Sequence, residues 1–332
     1  MKAVSIVAAI AGLAVMAALV AVFGAGAVAR SVAAVGWTGF AVICLIQLAL
    51  IAAMGIAWRW LVPGAAIWVF LCGRLVRDAG SEVLPLSPVG GCILGARVLT
   101  LAGVPRSIAA ASTIADLTVE FFAKLAYTAL GLVWLVDLRP GSPFAWPLTA
   151  GLAAAGLVAA GFVLAQRRGS GLIDRLARTL GRGWAERTAA GAAALQAALD
   201  RIYRRKARLW GGFLLHLACW IAGASEAWIA LRLADAALPF GQVLVIESLL
   251  YAIRTVAFAI PNAVGVQEGA YVLIGAAFGL TPEMALALSL LKRARDLAIG
   301  LPALGLWQAV EGGRLWRRRA RNPNGIVARR ES

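Results

Sequence analysis

The chain has 332 residues, 61% of them hydrophobic and 14% charged, with a mean hydropathy of +0.83. Soluble domains run at about 45–50% apolar and about 25% charged, so a water-soluble globular protein is excluded. The formal net charge of +16 invites a nucleic-acid role, but the basic residues crowd into 167–208 and 314–330. That one-sided crowding is what the positive-inside rule leaves on membrane loops, and nucleic acid is not an expected partner.

Apolar runs recur at 3–29, 35–57, 146–165 and 209–231, each close to the ~20 residues that a membrane crossing needs. The first follows Lys2 and ends in Ala27-Val28-Ala29, which has the form of a signal-peptide cleavage site. Its apolar core is about twice the ~7–15 residues of a signal peptide, so it reads as a retained span. Arg30 turns the chain outside and the second span returns it near Arg59. Lys2, Arg59, Arg74 and Arg77 join the two basic segments on one side, so both termini are expected in the cytoplasm. A basic tail there would also attract anionic lipid head groups.

The segment that follows 63–73 carries a pattern that returns near the end of the chain. Arg77 precedes Pro85 by eight residues, and Arg254 precedes Pro261 by seven. Glycines follow each proline (Gly90 and Gly91; Gly265), then Gly103 and Gly279, each 18 residues beyond its proline. Pro105 and Pro282 then open long apolar helices with charges near their centres: Asp116, Glu120 and Lys124 in the first, Lys292, Arg293, Arg295 and Asp296 in the second. Proline removes a backbone donor and glycine weakens a helix, so both copies contain a break. Segments 63–102 and 239–278 are each two crossings or one re-entrant hairpin. By parity the first is entered from the cytoplasm and the second from outside, so the copies are inverted. Broken helices at matching places in inverted repeats point to a binding site at mid-membrane.

An ion at mid-bilayer costs about 2.5–3.5 kcal/mol, so seven on two lipid-facing helices would cost on the order of 20 kcal/mol, more than a typical fold stability. They are expected to face inward, with Glu120 paired across the repeats to Arg293 or Arg295. Asp78, Glu82, Gln267 and Glu268 accompany the breaks and belong to the same polar set. Between the copies, Leu172, Leu176 and Leu180, then Leu195, Leu199 and Ile202, recur at helical spacing among arginines. Residues 166–207 therefore read as a basic amphipathic element lying on the cytoplasmic bilayer surface. Cys44, Cys72, Cys92 and Cys219 lie far apart in apolar runs, and His216 has no Cys or His companion. They read as packed residues, with no metal or cofactor expected.

The stretch PNAVGVQEGAY resembles the P-x-x-x-G-x-x-E-G signature of the lysylphosphatidylglycerol-synthase transmembrane, or flippase-like, family. RLVRDAGSEVLPLSPVGGCILGARVLTLAG with ASTIADLTVEFFAK is similar to its hopanoid-biosynthesis-associated branch. The resemblance covers roughly residues 3 to 310 and implies an integral inner-membrane protein that handles lipid. By motif position it carries over Arg77, Glu82, Gly90, Gly91, Arg97, Asp116, Glu120, Gly265, Glu268 and Gly269 as cavity residues. Ala263 and Val266 stand where many relatives have further glycines. No soluble synthase domain is read in the chain, so the resemblance implies translocation rather than lipid synthesis.

The fold expected is an all-α polytopic membrane protein of about 6–10 membrane segments, with inverted repeats (63–136 and 239–310) inside one membrane domain over 1–310, followed by a basic tail over 311–332. The function expected is movement of a hopanoid or another amphiphilic lipid through a polar cavity between the repeats. Two alternatives stand beside it: a membrane enzyme using Glu82, Glu120 or Glu268 as general base, and a scaffold for lipid-biosynthetic enzymes. Carboxylate catalysis would normally come with a metal, nucleophile or nucleotide site, and none is legible.

Overall fold

The structure is a computed structural model that describes residues 25–62, 64–83, 87–141, 145–168, 182–257 and 260–321. Most of the first apolar run, Pro85, 169–181 and 322–332 lie outside the described residues, and with them the expectations placed there. Among the described residues there are ten α-helices and no strand. They are α1 (Ala25–Leu61), α2 (Ile67–Val83), α3 (Ser87–Leu101), α4 (Arg106–Leu138), α5 (Ala145–Arg168), α6 (Arg182–Tyr203), α7 (Lys206–Leu233), α8 (Phe240–Val256), α9 (Val266–Ala277) and α10 (Pro282–Arg321). A single 3₁₀ turn, Pro261–Ala263, lies between α8 and α9.

Large apolar side chains face outward while several ions lie buried, as a bilayer allows. Trp37, Trp146, Val256 and Leu306 are at least 70% exposed, whereas Asp116, His216 and Glu268 are fully buried. Ala33–Leu61, Arg106–Leu138 and Lys206–Leu233 are long and apolar enough to cross a membrane. The turn expected at Arg30 is instead a break at Gly36, whose φ of 67° interrupts α1.

The two landmark-bearing segments are helical hairpins. Helices α2 and α3 have 17 and 15 residues, and α8 and α9 have 17 and 12. At 1.5 Å rise these are about 18–25 Å long, short of the ~30 Å hydrocarbon core. Each pair returns to the end of the bundle it left. Phe70 at the start of α2 and Leu99 at the end of α3 pack with Trp58 of α1 and Ala109 of α4. At the opposite end, Val243 at the start of α8 and Phe278 just after α9 share a core with Val35, Leu132, Leu135 and Leu231. The hairpins therefore enter the bundle from opposite ends. Each is closed by a left-handed glycine, Gly103 (φ 92°) and Gly279 (φ 83°), a conformation that only glycine adopts freely. The long helices α4 and α10 follow directly.

Close backbone approach holds the bundle together where hydrophobicity gives no preference between helix and lipid. A Cβ on Gly91 of α3 would lie 2.1 Å from Ser81 Oγ and 2.3 Å from the Arg77 carbonyl of α2. Helix α6 differs from the surface-lying element expected over 166–207. Its Leu199 and Ile202, with Leu195 beside them, pack on Ala111, Ala115 and Val119 of α4 and on Leu61. The apolar stripe has a protein groove available, so it docks there. Arg59, Arg106 and the Arg204–Arg208 stretch all gather at this end.

Candidate functional site

Helix α2 carries Arg74 and Arg77 on its buried face, where an unpaired charge would be prohibitive in hydrocarbon. Both are answered by α4. Arg74 donates to the two carboxylate oxygens of Glu120 at 2.7 and 3.1 Å and to Asp78 of its own helix at 2.8 Å. Arg77 donates to Glu120 at 2.7 Å and to Asp116 at 2.5 Å. Lys124 completes the set at 2.9 Å from Glu120, its ammonium lying over the rings of Trp220 and Tyr251. On α7, His216 Nε2 faces the remaining Asp116 oxygen at 3.0 Å. Asp116, Glu120 and His216 bring ligand atoms within 4.8 Å of one another. Their oxygens already accept from two guanidiniums and an ammonium, so this group is an ion-pair network rather than a metal-ligand set.

The second cluster is built on the break after α8. Asn262 (φ 51°) and Ala263 (φ 46°) take the left-handed conformation, and Gly265 (φ 81°) opens α9. Such a break exposes backbone groups that lipid cannot satisfy. Side chains meet the need. Glu268 reaches back to accept from the Gly265 N–H at 2.7 Å, the carboxylate half of a capping box. Arg293 of α10 donates to Glu268 at 2.6 and 3.1 Å and to the carbonyls of Asn262 and Ala263 at 3.3 and 3.5 Å. Ser289 also donates to Glu268, and Gln267 donates to Ser289, each at 2.8 Å.

Two further pairs tie α10 inward. Lys292 bonds Glu247 of α8, which also accepts from Tyr271 at 2.6 Å. Arg295 bonds Glu226 of α7 and, at 2.7 Å, its neighbour Asp296. At two positions the copies correspond with their signs exchanged. Arg74 and Glu247 are each the eighth residue of their short helix, and Asp116 and Lys292 each the eleventh of their long one. Arg74 lies 3.6 Å from Asp116, and Glu247 is bonded to Lys292.

Between the clusters the hairpin tips touch. Arg254, in the last turn of α8, donates to Glu82 near the end of α2 at 3.2 Å and to Asn262 at 2.9 Å. These side chains are 28% and 33% exposed, unlike the sealed pairs on either side. A small cavity lined by Val35, Leu231, Met284 and Leu288 has room for about one water molecule and is wholly apolar.

The expectation that the central charges face inward holds for all seven. The cross-repeat pairing of Glu120 with Arg293 or Arg295 does not: Glu120 is taken by Arg74, Arg77 and Lys124, and the two arginines by Glu268 and Glu226. The pair that joins the copies is Glu82–Arg254. Arg97 stands apart, 2.6 Å from Glu311 at the basic end and 40% exposed. Gly90 lies inside α3 rather than at a break, and Gly91 is the contact point. Gly269 lies within α9, with open space where a Cβ would be. Pro261 opens the 3₁₀ turn. Arg74, placed by sequence among cytoplasmic basic residues, is 3% exposed and central. Glu226 and Glu247 were missed, and His216 is packed but also hydrogen-bonded. A lone carboxylate inside an apolar helix was the available signal for the first two.

No similar curated protein and no similar solved structure was found. The family model described as lysylphosphatidylglycerol synthase TM region matches residues 7–303. With nearly the whole chain matched, and a fold of apolar-faced helices closed around buried ion pairs, this protein belongs to that family of lipid-handling membrane regions.

Proposed function

We propose that this protein translocates an amphiphilic lipid across the bacterial cytoplasmic membrane. The head group passes between the opposed hairpin tips while the acyl or polycyclic part stays in the bilayer. The observation that carries this reading is the Glu82–Arg254 pair. It joins two hairpins that enter from opposite ends, and it is the partly exposed link between two sealed ion clusters. Opening it would make a polar path at mid-membrane without disturbing either cluster, which fits alternating access in inverted repeats. The crowding of basic residues at the α6 end supports cytoplasmic termini and contact with anionic lipid at that face.

Translocation is favoured over catalysis by how the candidate bases are engaged. Glu120 is bound by Arg74, Arg77 and Lys124, Glu268 by Arg293, Ser289 and the Gly265 N–H, and Glu82 by Arg254. A general base needs a lone pair directed at substrate, and these are directed at donors within the protein. The resemblance to the hopanoid-associated branch makes a hopanoid the first lipid to test.

The test is a leaflet-accessibility assay. Purified protein is placed in vesicles carrying a fluorescent-head-group lipid or an extracted hopanoid, and an impermeant quencher is added outside. Protein-dependent loss of the inner-leaflet signal, with the lipid unchanged by mass spectrometry, is the expected result. Signal loss equal to that of empty vesicles for these lipids and for those that co-purify would overturn the proposal. A changed lipid mass would establish catalysis instead.

A further inference from the structure

Among the described residues, ionic groups in the interior balance cluster by cluster, with one exception. Arg74, Arg77 and Lys124 meet Asp78, Asp116 and Glu120; Arg254 meets Glu82; Lys292 meets Glu247; Arg293 meets Glu268. Arg295 is a single cation set against two carboxylates, Glu226 of α7 and Asp296 of its own helix. The surplus is one negative charge, in a place where Glu226 is 2% exposed. Glu226 gives one oxygen to Arg295, and its other oxygen, Oε1, is buried with no hydrogen-bond partner among the described residues. A buried carboxylate oxygen without a donor, beside an uncompensated charge, is among the costliest arrangements in an apolar interior.

We propose that Glu226, Arg295 and Asp296 form a proton-binding site, with the exchangeable proton carried on Glu226 Oε1. A proton taken from water makes the triad neutral and turns the bare oxygen into a hydroxyl. Asp296 keeps its bond to Arg295, so no other contact need change.

The surroundings single out a proton at this place. On α1, Cys44 lies within electrostatic range of Arg295 and Asp296. From α2 and α8, Glu82 and Arg254 both sense Asp296, and Glu82 senses Arg295 and Asp78 as well. Glu247 of α8 is already held by Lys292 and Tyr271. His216 is ten residues earlier on α7, about 15 Å along its axis, and faces Asp116 in a cluster that is already neutral. A proton there would add an unbalanced positive charge. The link to Glu82 and Arg254 gives the site its role: charge on the triad alters the field at the hairpin tips. That role rests on the translocator reading; the site itself does not.

The experiment is infrared difference spectroscopy of the full chain in lipid vesicles, titrated in H₂O and D₂O. Expected is the carbonyl band of a protonated carboxylic acid, downshifted in D₂O. It should be lost in Glu226→Gln, which keeps an acceptor for Arg295 but carries no titrating proton. It should be lost in Asp296→Asn as well, because that variant removes the surplus charge and leaves Glu226 paired with Arg295. The second variant decides the question where the first does not fold. Absence of the band at every pH, or its persistence in both variants, would overturn the proposal. Its loss on adding sodium at fixed pH would overturn it too, since the occupant would then be a metal cation. A band without translocation would keep the proton site and remove the translocator reading; translocation without the band would do the reverse.

Discussion

Glu82 and Arg254 are 172 residues apart in sequence and 3.2 Å apart in space, at the tips of two hairpins that enter from opposite ends of the bundle. Among the described residues their pair is the direct charge contact between a hairpin of one copy and a hairpin of the other. Both side chains are part-exposed, so the bond is weak as a structural element, about 0–1 kcal/mol. Glu82→Gln should therefore leave Tm nearly unchanged while altering translocation strongly. The exchanged pair Glu82→Arg with Arg254→Glu should recover a large part of the wild-type rate. Wild-type rates in both single variants would remove the tips from the path.

Glu120 gives the opposite expectation. It is 2% exposed and bonded to three cations. Breaking a buried pair from one side costs about 3–5 kcal/mol, so Glu120→Gln should sharply lower thermal stability in detergent. A double-mutant cycle with Arg74 should show coupling. Cycles with Arg293 and Arg295, which lie in other clusters, should be additive within about 0.5 kcal/mol.

The glycines separate by their surroundings. Gly91→Ala drives a methyl into Ser81 and the Arg77 carbonyl, and the hairpin must open to take it, so abundance should fall. Gly265→Ala places a side chain at a φ of 81°, at a cost of about 1–2 kcal/mol. Gly269→Ala meets open space inside a helix and should be neutral or stabilising by up to about 1 kcal/mol. Fluorescence-detected size exclusion of the three variants, side by side, checks the order.

Sidedness is testable in whole cells. Single cysteines at Ser170 or Gly325, in a background without the four native thiols, should resist an impermeant maleimide until the cells are permeabilised. A cysteine at Asp235, in the turn after α7, should react at once. Reaction at Ser170 or Gly325 in intact cells would reverse the topology.

The helices and their interruptions were legible in the sequence because proline and glycine act locally. Pro261, Gly265, Gly103 and Gly279 mark breaks and turns wherever the rest of the chain goes. Hairpin geometry was left open, since 63–102 could hold either two crossings or one return. The 17 and 15 residues of α2 and α3, each short of the ~20 that a crossing needs, favour the return. The burial of charges followed from energy alone, but their pairing did not, because every buried carboxylate can in principle meet every buried cation. Arg74 was lost to the cytoplasmic side because positive-inside counting cannot tell a loop arginine from one on a short re-entrant helix. Glu226 and Glu247 were passed over because each is the single ion of its apolar run and lies outside the repeated arginine–proline–glycine pattern.

The exchange of sign between Arg74–Asp116 and Glu247–Lys292 bears on how the bundle assembles. Inside a bilayer, apolar helices have little reason to prefer one neighbour over another. Here each short helix carries an electrostatic address. Helix α2 packs along α10, and α8 along α4 with Gly131 against Ser248, yet Arg74 reaches Asp116 on α4 and Glu247 reaches Lys292 on α10. A shift that brought Arg74 to Lys292, or Glu247 to Asp116, would put like charges together without water, whereas the observed arrangement satisfies all four. The reversed signs thus fix which ion each of two similar hairpins meets inside one membrane, across helices that pack copy against copy.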